Sequence, residues 1–412
     1  MNSHDIALLV YNVMLMPIVF MSFMFIFLAV IYLLTAKKKQ EEFQEIKDFP
    51  FVTVQIPTFN DPVAERCIRK CLDFDYPTDR YEIIIADDSS DLQTQAMLRG
   101  YEEEYPERVK YIHRENREGF KPGALRNAMK YTRGDILVIF DADWIPRSDF
   151  LQKVIRPFAD PTIAIVQTRQ GFYNKDANII TRFAAYLLMI YHTIIMPINS
   201  RVNCVFFCGT AGAIRRSMFE EVGGWNLHSI TEDSEITVKL LLKGYKTLYL
   251  EEETPSEVPD TLEGFIKQQM RWCYGNARVF FDNAGNILFG KGITLRQRAM
   301  ILFVTLGNLA APLVVVMTFF GFAGWFTGEP TLFQWGDIME FGAKLLMTAG
   351  FLLLGILTLA KRRKLSEFPH MIASVLVMGI VLAVANTYAF TKAALNQKLH
   401  WSCTPKRANT DR

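Results

Sequence analysis

Apolar residues crowd the two ends of the chain, while the middle alternates short apolar runs with amphipathic ones. Ile6 to Leu34 is almost uncharged, and longer than the roughly 20 residues a helix needs to cross a bilayer. It is too long for the core of a signal peptide and has no basic leading segment. Lys37, Lys38 and Lys39 follow at once, so the positive-inside tendency places the next domain in the cytoplasm. After Arg298 the pattern returns, with Ala299–Phe326, Phe341–Ala360 and Phe368–Phe390 as three further candidate spans. The run Lys361-Arg362-Arg363-Lys364 should be cytoplasmic, which fits the second of these returning inward. A full third crossing would put the tail from Trp401, with Lys406, Arg407 and Arg412, on the outside, against the same tendency. A re-entrant or interfacial last segment would resolve this. The expectation is a multi-pass protein of the cell (inner) membrane with a cytoplasmic domain between its spans.

From Phe51 the period changes. Val52–Ile56, Tyr81–Ala86, Val109–His113, Ile136–Phe140 and Ile163–Thr168 read as strands. Val63–Leu72, Leu92–Tyr105 and Ala124–Tyr131 read as the helices between them. This alternation predicts an α/β domain with a parallel, doubly wound sheet. No Gly-x-Gly-x-x-Gly follows the first strand, so a dinucleotide cofactor loses support. Ile179–Ile198 is strongly apolar but carries Arg182, Tyr186, Tyr191 and His192 and meets Pro197. It reads as a helix lying in the headgroup region, with a buried core helix as the competing reading. Ser234–Leu242 is a further helix, with Thr231 or Asp233 placed to cap it. The divisions are therefore 1–36 (leading transmembrane helix), 50–285 (soluble domain, with the interfacial helix at about 178–198), 286–398 (membrane region) and 399–412 (basic tail).

Composition changes this picture little. The net charge of +2 over 412 residues argues against a nucleic-acid partner, and the basic clusters flank apolar runs instead. Six cysteines show no CxxC pairing of the zinc type. Cys67/Cys71 and Cys204/Cys208 are four apart, a spacing that suits helix packing, and all six read as reduced cytosolic thiols.

Chemistry enters at the carboxyl ends of the strands, where open α/β sheets bind ligands. Ile136 to Phe140 is a buried central strand that delivers Asp141 and Asp143, two hard oxygen ligands suited to Mg²⁺ or Mn²⁺. Alone, such a pair reads more readily as a chain-turning cluster. Asp88, at the end of another strand, could accept hydrogen bonds from a base or ribose, or simply form a turn. Gln268 and Arg271 share a helix face. Arg can hold a diphosphate bidentately, and Trp272 offers a flat face for a sugar. An interfacial aromatic beside a snorkelling Arg is the plainer alternative.

Four signals thus fall in order: Asp87-Asp88-x-x-Asp91, Asp141-x-Asp143, Thr231-Glu232-Asp233 and Gln268-x-x-Arg271-Trp272. The set resembles the family-2 glycosyltransferases, and among them the membrane-integrated polysaccharide synthases that make cellulose, glucomannan and hyaluronan. Phe207-Cys208-Gly209-Thr210-Ala211-Gly212, Gly119-x-Lys121-x-Gly123 and Trp401-x-x-Thr404-x-Lys406 extend the likeness over nearly the whole chain from Phe51. The resemblance implies a GT-A-type (Rossmann-like) catalytic domain. It implies an inverting hexosyltransferase that uses a nucleotide sugar, UDP-glucose or similar, and extends a β-linked polysaccharide. The alternative acceptor is diacylglycerol or polyprenyl phosphate. By the same resemblance Asp233 is the base, Asp88 and Asp141 contact the nucleotide, and Asp143 with Asp141 holds the metal. Lys121, Gln268 and Arg271 bind the donor, while Trp272, Cys208 and Gly209 face the acceptor. Trp401, Thr404 and Lys406 form a gating loop; read without the family, they make a basic tail on anionic lipid. The order of one leading span, the catalytic domain and few trailing spans is closer to glucomannan-type than to cellulose-type synthases, and accessory export subunits fit the polymer reading.

Overall fold

A computed structural model describes residues 2–35, 43, 48–328 and 335–399. Seven strands form one sheet: β1 (Val52–Thr58), β2 (Tyr81–Asp87), β3 (Val109–His113), β4 (Ile136–Ile139), β5 (Ile163–Phe172), β6 (Gly212–Arg215) and β7 (Lys246–Ser256). Their order is β3-β2-β1-β4-β6-β5-β7. The apolar runs of β1, β2 and β4 are buried on both faces, as strands of a helix-covered parallel sheet must be. Ile83, Ile84 and Ile85 are fully enclosed, each contributing about 1.5–3 kcal/mol of apolar burial.

The sheet is mixed, not wholly parallel. β6 lies between β4 and β5 and runs antiparallel to both. Pairing of Ile139 with Gly212 brings the segment before β6 to the carboxyl end of β4. β7, parallel to β5, closes the far edge and carries its Glu-rich stretch beyond a register shift.

Among the described residues, four helices are long and apolar enough to cross a membrane: Ser3–Thr35, Ile179–Arg201, Leu295–Thr327 and Leu365–Ala394. The second stands apart, because 67% of its apolar stretch is buried inside the protein against 11–17% for the others. It starts at a capping box of Asn178 and Thr181, loosens into a π-turn at Tyr191–Ile195, and packs between sheet and apolar helices. The region 341–360, expected as a candidate span, is two helices bent by 61° at Ala349, the shape of a broken span or a re-entrant loop. The cause is tertiary. The Gly350 amide donates to Ser22 Oγ of the first helix at 2.8 Å, and a Cβ on Gly350 would stand 2.1 Å from the Ser22 carbonyl. The first helix also packs on Ala310–Thr327, where Gly321 and Gly324 admit Tyr11 and Leu8. The Lys37–Lys39 run and the tail from His400 lie outside the described residues.

Candidate active site

The carboxyl ends of β1, β2, β4, β5 and β7 share one edge with the segment preceding β6. A cleft of about 230 Å³ opens there. Asp88, Lys121, Asp141 and Asp143 line one side, and Cys208, Asp233, Gln268, Arg271 and Trp272 the other.

On the first side, Asp88 is buried and held by both oxygens. Arg114 Nε donates to Oδ1 at 2.7 Å and Nη2 to Oδ2 at 2.5 Å, a bidentate pair. Arg114 is a site residue that no motif announced, since its role comes from β3 ending beside β2. Arg117 is another, its guanidinium 3.2 Å from the centre of the Phe59 ring. Asp87 is occupied structurally, accepting from Tyr111 Oη and the Ser89 amide.

Lys121 Nζ donates to Asp141 Oδ1 at 2.5 Å and to the Gly209 carbonyl at 2.9 Å. Burial works against its charge, but Asp141, Glu232 and Asp233 together hold its pKa above the ordinary lysine value. Asp143 is 1% exposed, and its Oδ2 accepts from the Glu257 amide at 3.2 Å. Among the described residues no group of three or more His, Cys, Asp or Glu side chains is arranged to hold a metal. Two carboxylates suffice for Mg²⁺ or Mn²⁺ when substrate phosphates complete the shell, so Asp141 and Asp143 fit a divalent cation that arrives with a diphosphate.

On the second side, the helix runs Glu232–Leu242 and begins two residues before the expected Ser234. Thr231 takes the N-cap position, one of the two expected, but makes no side-chain cap bond: its hydroxyl is buried with no partner among the described residues, and Asp233 lies in the first turn. Asp233 Oδ1 accepts from the adjacent Ser234 amide at 2.7 Å. A helix start should favour ionised carboxylates. Burial prevails here, raising Asp233 despite that amide, Lys121 and Arg271. Burial and then the Asp233 charge raise Glu232 to about 7. Gly209 takes φ +76°, and a Cβ there would stand 2.9 Å from Asp233 Oδ2, so glycine lets this loop touch the carboxylate. Cys208 is anchored through its amide to Gln167 Oε1 at 2.8 Å, and burial pushes its thiol far up, keeping it neutral. The five described cysteines are all free thiols.

Gln268, Arg271 and Trp272 come from the long helix Leu262–Phe289. Gly275 sets its approach: a Cβ would lie 2.2 Å from Thr231 Cγ2. Gln268 Oε1 is buried without a partner among the described residues. Trp401, Thr404 and Lys406 lie outside those residues.

Residues 53–223 match the description of the family Glycosyl transferase family 2. The chain carries a family-2 glycosyltransferase domain. Glucomannan 4-beta-mannosyltransferase 9 of Arabidopsis thaliana is 34% identical over 284 residues, 64% of this chain and 53% of that protein. Glucomannan 4-beta-mannosyltransferase 1 of Oryza sativa subsp. japonica is 36% identical over 266 residues, 62% of this chain and 51% of that protein. The chain thus spans about half the length of these curated relatives. In fold, the family-2 domain and its flanking helices are similar to the mannosyltransferase PcManGT from Pyrobaculum calidifontis, solved in complex with GDP-Man and Mn²⁺. The TM-score is 0.65 at 19% identity, over 96% of this chain and 100% of that one. The expected GT-A-like α/β class holds.

Proposed function

We propose that this chain is an inverting hexosyltransferase that works at the cytoplasmic face of the inner membrane. It moves a hexose from a nucleotide sugar to the growing end of a β-linked glycan. One observation carries the reading: carboxylates at 88, 141, 143 and 233 and the Gln268-Arg271-Trp272 group, remote in sequence, line a single cleft. The names of the curated relatives favour mannose as the hexose, and UDP-glucose, implied by the motif resemblance, is its competitor.

In this mechanism Asp88, with Arg114 fixing its orientation, receives the nucleoside. Arg271 and Lys121 bind the diphosphate, and Lys121 exchanges Asp141 for phosphate oxygen. Asp141 and Asp143 would hold a divalent cation, which would neutralise charge on the leaving diphosphate. The acceptor's terminal sugar lies on Trp272, near the Cys208-Gly209 loop. Asp233 takes the proton of its attacking hydroxyl as the new C1–O bond forms. The bond from C1 to the phosphate oxygen breaks on the opposite face, and the nucleoside diphosphate leaves with that electron pair. Burial raises the Asp233 pKa above the ordinary aspartate value, which strengthens it as a base.

The test is to purify the full chain in detergent, offer UDP- and GDP-linked hexoses, follow nucleoside diphosphate release and analyse the product linkage. Long chains sensitive to a β-mannanase or β-glucanase are expected. No release from any nucleotide hexose would overturn the transferase reading, and an organic-soluble product of one or two sugars would overturn the glycan acceptor.

A further inference from the structure

A second and larger cavity, about 790 Å³, lies away from the cleft, between the C-terminal half of the first helix and the start of Leu295–Leu306. One end is apolar: Phe27 and Ile31 face it from the first helix, Met300 and Phe303 from the other. Phe25 and Phe303 meet edge to face at 5.7 Å between the two helices. The other end is cationic, lined by Arg201 and Arg296. Arg201 donates to the Thr35 carbonyl at 2.6 Å, at the end of the first helix, and keeps its charge uncompensated by that contact. Arg296 is exposed and forms no ion pair among the described residues. The acid in the lining, Glu251, is already paired with Arg169 at 2.8 Å. The cavity is therefore amphipathic, positive at the end where two candidate spans meet the soluble domain and oily toward their middle.

We propose that this cavity binds one anionic phospholipid, its phosphodiester on Arg201 and Arg296 and an acyl chain between Phe27, Ile31, Met300 and Phe303. The volume falls in the range of built ligand sites. The charge complement matches a lipid phosphate, and two guanidiniums flanking an apolar slot would gain nothing from a neutral hydrocarbon alone. The site borders the catalytic domain directly. Leu248 and Tyr249 of β7 form one wall, Tyr249 donates from its hydroxyl to the His192 carbonyl at 2.8 Å, and it packs in the cluster that Cys208 joins. A seated lipid would thus brace the strand behind the acceptor loop, an effect on turnover that rests on the proposed transferase activity. Binding itself does not.

The full chain, in nanodiscs of phosphatidylcholine doped with a phosphatidylglycerol carrying a diazirine on its acyl chain, tests this by photo-labelling and peptide mapping. Label is expected on the peptides holding Phe27–Ile31 and Met300–Phe303. The double variant Arg201→Gln/Arg296→Gln should lose about tenfold of it. Met300→Trp, which fills the slot and spares both guanidiniums, should lose it too. Equal labelling by a phosphatidylcholine probe, or label unchanged in both variants, overturns the proposal. So does competition by free glycerol phosphate as effective as that by lipid, or a photo-crosslinker at position 300 that captures residues 36–47 of the chain itself. Because label is read without turnover, its failure is separable from a failure of the transferase reading.

Discussion

Replacing Glu232 by Gln should remove a titration near neutral pH while leaving the cleft in place. Glu232 is 9% exposed, in the first turn of its helix. Burial and the Asp233 charge raise its pKa from 4.5 to about 7, with Lys121 and Arg271 opposing. Between those values the folded protein keeps a proton that the unfolded chain has released. Raised in the folded state, this carboxyl costs no stability below about pH 4.5 and progressively more as pH rises toward 7, with the full penalty above that. At about 1.4 kcal/mol per tenfold change in proton affinity, the shift from 4.5 to about 7 amounts to roughly 3 kcal/mol at pH 8.

Gln has the same shape and cannot ionise. Thermal melting in detergent should therefore show the variant gaining on the parent as pH rises from 5 to 8. Turnover gives an independent reading: ionised Glu232 makes Asp233 a stronger base, so nucleoside diphosphate release by the parent should inflect near pH 7, and release by the variant should not. Parallel melting curves, together with an inflection near pH 7 that survives Glu232→Gln, would refute the reasoning. The proton would then belong to another group.

Asp233→Asn should cut turnover by about 10²-fold or more, the scale of a lost general base, with nucleoside diphosphate affinity nearly unchanged by calorimetry. Near-normal turnover would remove Asp233 from the role of base. Asp143→Ala should weaken nucleotide binding measured with Mn²⁺ and leave the metal-free affinity alone; equal loss in both conditions would mean that Asp143 holds no cation. Arg114→Met strands the buried Asp88 carboxylate, which costs about 3–5 kcal/mol and should appear as a large drop in melting temperature at pH 7. Gly275→Val should separate the long helix from the Thr231 turn, lowering acceptor-dependent turnover more than donor affinity; unchanged kinetics would show that the turn yields without moving Trp272.

Those residues divide by how legible they are in the sequence. Asp88, Asp141 and Asp143 are readable because each ends an apolar run, and the chain alone dictates that a parallel strand presents its last residues at one edge. Gln268, Arg271 and Trp272 are readable because helical spacing puts them on neighbouring faces. Arg114 is not, since it gains its role only when β3 pairs with β2 and brings it to Asp88, 26 residues away. β6 is four residues long, too short for an alternation to show, and it turns a parallel reading into a mixed sheet. The bend at Gly350 is written in Ser22, 328 residues away. Local pattern supplies elements and strand ends. Partners chosen across the chain supply the antiparallel insertion, the bend and the ion pairs.

That insertion links the two halves of the cleft. A wholly parallel sheet would send the segment after β4 away from the acceptor side; β6, reversed, returns Cys208 to Thr210 to the very end of β4, where the Thr210 hydroxyl accepts from the Asp141 amide at 2.9 Å. Lys121 completes the connection by donating to Asp141 and to Gly209 with one ammonium group. In the proposed mechanism a diphosphate draws that ammonium toward its own oxygens, and the Gly209 carbonyl loses its donor in the same motion. Gly209 packs against Asp233, so in that mechanism occupation of the donor side would reach the proposed base through a single side chain. If the proposed mechanism holds, donor and acceptor sites would be coupled by charge exchange across a few ångströms, with no large domain motion needed for one to sense the other.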